Sequence, residues 1–152
     1  MLYPFPREQA HGQKPISSSQ SRWDFLLTNM CPQNERLNSG AWNRLEEQCR
    51  RWAIKYGEIF IVAGPIFLDG EKNTFGANKI AIPDAFFKVV LCTKGTPKAI
   101  GFVYNNDSSS QAMKNQVKSI DEIEEITGFD FFSSLPDGIE NVIEAESNLA
   151  IW

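Results

Sequence analysis

Between residues 42 and 56 the chain sets Trp42, Leu45, Cys49, Trp52 and Tyr56 at i, i+3, i+7, i+10 and i+14, with Gly57 immediately behind. Spacing close to 3.6 residues places all five on one side of a helix over 41–56. A stripe this wide and aromatic must be covered by a large apolar surface, and the sequence that follows supplies one. Glu58-Ile-Phe-Ile-Val-Ala63 is apolar and β-branched, and Gly64-Pro65 predicts its end. Lys79–Ile82, Phe86–Thr93 and Lys98–Tyr104 continue the strand pattern, with Lys94-Gly-Thr-Pro97 as a hairpin turn between the last two. Ser119-Ile-Asp-Glu122 opens a second helix that Gly128 closes, and Gly138–Glu146 is a short third. The class is therefore α+β: a largely antiparallel sheet with helices packed on it.

Residues 1–22 read differently from the rest. Pro4, Pro6, Gly12, Pro15 and the Ser17–Ser21 run give a polar, punctuated segment without periodicity, expected to be a poorly ordered arm. Residues 23–152 read as the folded part, beginning with a short strand candidate at Trp23–Thr28 and a polar loop from Asn29 to Ser39. The first residues carry no basic stretch followed by an apolar run, so no signal peptide is expected, and no apolar run is long enough to span a membrane.

The net charge of −4 is unevenly spread. Residues 119–152 hold nine of the nineteen acids and no Lys or Arg, which leaves fifteen bases against ten acids before residue 119. A mildly basic body suits a polyphosphate ligand, and a single solvated acidic face explains the asymmetry equally well. Cys31, Cys49 and Cys92 are too widely spaced for a zinc site and odd in number. Cys49 and Cys92 fall on apolar faces and are expected to be buried thiols.

The chemistry-bearing segment runs from Asn29 to Arg50. A loop rich in carboxamides leads into the helix, where Asn38 or Ser39 stands at the N-cap position. Two turns later Glu46 and Arg50 lie four residues apart on one face. A carboxamide oxygen, backed by a carboxylate that holds water, is a donor set that Mg2+ accepts, because this ion keeps most of its hydration shell. The same residues also fit an ordinary helix cap and a surface ion pair.

Leu27-Thr-Asn29-Met-Cys-Pro32-Gln33, Leu37-Asn38-Ser-Gly-Ala-Trp42, Leu45-Glu46 and Arg50 together resemble the DNA/RNA non-specific endonuclease family. So do Ile61-Val-Ala-Gly64-Pro65, Ile82-Pro-Asp-Ala-Phe-Phe-Lys88-Val-Val, Ala99-Ile-Gly-Phe-Val103 and Thr127-Gly-Phe-Asp130-Phe-Phe. The resemblance runs from about Phe25 to Trp152. It implies a ββα-metal nuclease fold and Mg2+-dependent hydrolysis of DNA and RNA through phosphate contacts. By position it implies Asn38 as the direct Mg2+ ligand, Glu46 as the carboxylate that holds the ion's waters, and Asn29 and Arg50 beside the scissile phosphate.

The family's Asp-Arg-Gly-His motif, whose histidine is the general base, is missing from this sequence. The only histidine is His11, in Arg7-Glu-Gln-Ala-His11-Gly-Gln13, eighteen residues before Asn29 and in the wrong context. The resemblance thus covers the carboxy-terminal part of such a domain and leads us to expect impaired hydrolysis. The alternative is a catalytically dead remnant that binds nucleic acid or protein.

Overall fold

In a computed structural model, residues 2–4 and 31–152 are described, the side chains for 31–152. The expected arm beyond residue 4, the strand expected at Trp23–Thr28, His11 and Asn29 lie outside the described residues.

The chain becomes helical at Glu35, passes through a π-helical turn at Leu37–Trp42, and continues as the α-helix α1, Asn43–Tyr56. Gly57, at φ 82°, ends it with its N–H on the Ala53 carbonyl, a left-handed conformation that suits glycine. The helix therefore begins about a turn and a half earlier than its apolar stripe predicts. Asn34 starts it, its Oδ1 accepting from the N–H groups of Arg36 (3.0 Å) and Leu37 (3.4 Å).

Five strands form the main sheet in the order β1 (Leu2–Pro4), β2 (Phe60–Ile66), β5 (Ala85–Cys92), β6 (Lys98–Asn105) and β7 (Val117–Lys118). Every neighbouring pair is antiparallel. β3 (Thr74–Phe75) and β4 (Ile80–Ala81) make a separate two-residue ladder, so the strand expected at Lys79–Ile82 contributes nothing to the main sheet. β2 also runs on through Gly64-Pro65, where it was expected to stop. Beyond Val62 its outer edge has no partner among the described residues, so the missing N–H of Pro65 interrupts no ladder. Gly64 leaves room for the Phe87 ring, whose Cε1 would lie 2.8 Å from an added Cβ.

β5 is buried along its whole length because both sheet faces are covered. Phe86, Val90, Cys92, Ile100, Phe102 and Tyr104 pack with Leu45, Cys49 and Trp52 of α1. The alternate residues Ala85, Phe87, Val89, Leu91 and Ala99 face the other way and pack with Ile120 and Ile123 of α2 (Ile120–Thr127) and Ile143 of α3 (Asp137–Glu144). Period-two alternation through the sheet thus creates two cores, one per face. At Gly101 an added Cβ would collide with Ile123 Cδ1 and sit 3.1 Å from the Lys118 carbonyl, so α2 rests directly on the β6 backbone. Ser119 and Glu122 close a reciprocal capping box at the start of α2. No helix among the described residues is long and apolar enough to cross a membrane.

Candidate functional site

The loop that feeds α1 is pinned by a residue far away in sequence. Asn106, just past β6, accepts from the Asn34 N–H through Oδ1 (2.7 Å), while its Nδ2 donates to the carbonyls of Pro32 (3.0 Å) and Pro83 (2.9 Å). These three bonds hold the helix entrance against the start of β5. The sequence reading gives Asn106 no role, and its partners 74 and 23 residues away leave no local signal.

With Asn34 capping the helix, Asn38 is not the cap. It lies on the π turn, its N–H bonded to the Asn34 carbonyl at 2.9 Å. Its exposed carboxamide takes part in no hydrogen bond among the described residues. Ser39, the other expected cap, donates its hydroxyl back to the Glu35 carbonyl at 2.7 Å. A π turn inserts an extra residue into the helical repeat, so it alters which way Asn38 faces relative to the α-helix that follows.

Glu46 and Arg50 follow on α1, and the surface ion pair that their spacing also allows does not form. Glu46 meets Lys88 from β5 instead, with Nζ 3.5 Å from Oε1. Lys88 is 5% exposed, and its ammonium stands 4.4 Å over the Trp42 ring. Trp42 is itself braced by Phe86 at 5.8 Å and Tyr104 at 6.0 Å between ring centroids. The Glu46 side chain is 40% exposed, so one side of the carboxylate meets the lysine and the rest faces solvent. Arg50, one turn on, is exposed and has no ion pair among the described residues. Burial pushes the nearby Cys49 thiol up to about 11, which keeps it neutral and removes it as a nucleophile at ordinary pH. The helix thus presents an exposed carboxamide, two turns later a lysine-steadied carboxylate, and one turn beyond that a guanidinium without an ion pair among the described residues: hard oxygen donors and an anion-binding group on one helical run.

The family description DNA/RNA non-specific endonuclease matches residues 9–138 of the chain. The chain belongs to this family. It is 34% identical over 141 residues to "Nuclease EXOG, mitochondrial" of Mus musculus, covering 82% of this chain and 38% of that protein. It is 33% identical over 144 residues to "Endonuclease G, mitochondrial" of Caenorhabditis elegans, covering 84% and 46%. Among solved structures, a chain of the EndoG/EndoGI complex superimposes with a TM-score of 0.68 at 26% identity, over 74% of this chain and 51% of that one. The chain thus spans about half or less of the length of these relatives. The α+β class and the endonuclease-family fold agree with the reading of the sequence.

Proposed function

We propose that this chain hydrolyses the phosphodiester backbone of DNA and RNA without sequence preference, using one Mg2+ ion held by Asn38. The observation that carries the reading is the Asn38 carboxamide: exposed, free of the capping role, and presented on the π turn of the helix that bears Glu46. Carboxamide and carboxylate oxygens are the hard donors that this cation takes, and both side chains reach solvent, where its remaining waters would lie. When bound, the cation neutralises the charge that develops on the oxygen leaving phosphorus.

The chain's own residues divide the remaining work. Glu46 accepts hydrogen bonds from the ion's hydration shell, and Lys88 fixes the direction in which that carboxylate faces. Arg50 offers a planar guanidinium to a phosphate, a contact that carries no sequence information. Asn29, outside the described residues, takes a place beside the scissile phosphate by its position in the family motif. The sequence contains no Asp-Arg-Gly-His, and His11 is its only histidine. Loss of a positioned general base typically slows a reaction by about 10²–10⁴-fold, so hydrolysis by this chain is slow.

Nicking of supercoiled plasmid by the purified chain tests this reading. Cleavage that needs Mg2+, stops with EDTA and disappears in Asn38→Ala supports it. Salt-sensitive, metal-independent binding without any cleavage would replace it with the binding-remnant reading.

A further inference from the structure

Across the sheet from Glu46, the acidic end of the chain gathers three carboxylates where α2 meets α3. Asp121 and Glu124 of α2 and Glu144 of α3 each bring one carboxylate oxygen within 4.8 Å of the other two. Surface acids often cluster without consequence, but Glu144 is not a surface acid. It is 6% exposed, and its Oε1 is buried without a hydrogen-bond partner among the described residues. Glu140, one turn earlier on α3, also has a buried Oε1 without a partner among the described residues. Residues 119–152 contain no Lys or Arg to neutralise this charge. Burial first, then the carboxylates of Glu124, Glu140, Asp121 and Asp130, pushes Glu144 up to about 7. A buried carboxylate among like charges is costly unless it takes up a proton or a counter-charge completes the site.

We propose that Asp121, Glu124 and Glu144 bind a structural divalent cation of the calcium type, which ties α2 to α3. All donors are carboxylate oxygens, with no nitrogen or sulfur, which disfavours zinc and copper. Calcium takes six to eight oxygens at about 2.3–2.6 Å, so oxygens on opposite sides of the ion stand roughly 4.6–5.2 Å apart. Three carboxylate oxygens within 4.8 Å of one another fit inside such a shell, and its flexible, oxygen-only coordination accepts a cluster of this kind. Glu124 is already oriented, since its Oε1 accepts from the Phe131 N–H at 2.6 Å. Asp121 lies exposed at the rim, where water can fill the remaining positions. The site packs on the opposite core from Asn38 and Glu46, so it acts on the fold and has no part in contacting the phosphodiester.

Calorimetric titration with Ca2+, joined to thermal melting of the whole chain with and without it, tests the proposal. The expected result is Ca2+ binding, retained in the Asn38→Ala chain, with Tm raised by several degrees. Glu144→Gln and the rim variant Asp121→Asn should each weaken Ca2+ binding at least about tenfold, while Asn38→Ala leaves it unchanged. The rim variant keeps the test sharp if the buried substitution alters folding. Absence of any Ca2+-dependent shift in the parent chain would overturn the proposal. So would a shift that survives in both carboxylate variants, or one lost in Asn38→Ala, which would place the ion at the other site.

Discussion

The ammonium of Lys88 lies 3.5 Å from the Glu46 carboxylate and 4.4 Å above the Trp42 ring, so a buried β5 lysine controls a half-exposed carboxylate on α1. A lysine is rarely this buried without a partner, and here the pair and the aromatic face share the stabilisation. Because the Glu46 side chain is 40% exposed, water can still solvate that carboxylate once its partner is gone, so Lys88→Met should change Tm little. Its effect should fall on Glu46. We predict about a 10–100-fold loss of Mg2+-dependent nicking, the usual cost of removing a group that orients the surroundings of a metal. Glu46→Gln in the same chain should add far less than it does alone. Nicking rates of the four proteins in the cycle measure this, and additive losses would show that Lys88 acts elsewhere.

Asn106 makes three side-chain hydrogen bonds that lock the Pro32–Asn34 loop to the start of β5. Asn106→Ala leaves partly buried backbone groups unpaired and should cost about 1–3 kcal/mol in urea unfolding. Asn106→Asp keeps the acceptor for the Asn34 N–H but sets a carboxylate oxygen against the Pro32 and Pro83 carbonyls, so near neutral pH it should be at least as destabilising as Asn106→Ala.

At Gly101 there is no space between β6 and α2 for a methyl group. The Ile123 terminus can yield, but the Lys118 and Ser119 carbonyls, 3.1 Å and 3.3 Å from an added Cβ, are backbone. Gly101→Ala should destabilise by about 1–3 kcal/mol, read from the shift of the denaturation midpoint.

The Lys118 ammonium and the Ser119 N–H beside Glu122 hold its carboxyl below the usual value of 4.5. The folded value is the lower one, so the stabilisation is complete above pH 4.5 and is lost as pH falls through the folded value. Melting curves against pH should therefore show Glu122→Gln less stable than the parent near neutrality, with the gap closing in acid. A gap independent of pH would remove the ionic part of this cap.

The α1 stripe was legible because a helix buried on one face writes its period into the sequence. Cys49 was read as a buried thiol from that stripe and Cys92 from its place in an apolar strand, and both are buried. What eluded reading depends on partners that are remote or on both sides at once. Phe86-Phe87-Lys88-Val89-Val90 is apolar on each face, so no alternation reveals which core Lys88 enters. Gly64-Pro65 ends a central strand but not one whose outer edge is open. Asn38 looked like a cap because the π turn hides the true helix start at Asn34, whose side chain had the better geometry for the free N–H groups. The Glu46–Arg50 pair follows from helical spacing alone, and a lysine from 42 residues away takes the carboxylate instead.

The central claim is that the Asn38 carboxamide oxygen is a direct protein ligand of the catalytic cation. An anomalous difference map from crystals soaked in Mn2+, an oxygen-preferring stand-in for Mg2+, tests it most directly. The account predicts a peak about 2 Å from Asn38 Oδ1, with Glu46 reaching it through water. A map with no peak there, and the Asn38 side chain turned onto its own backbone, would contradict it.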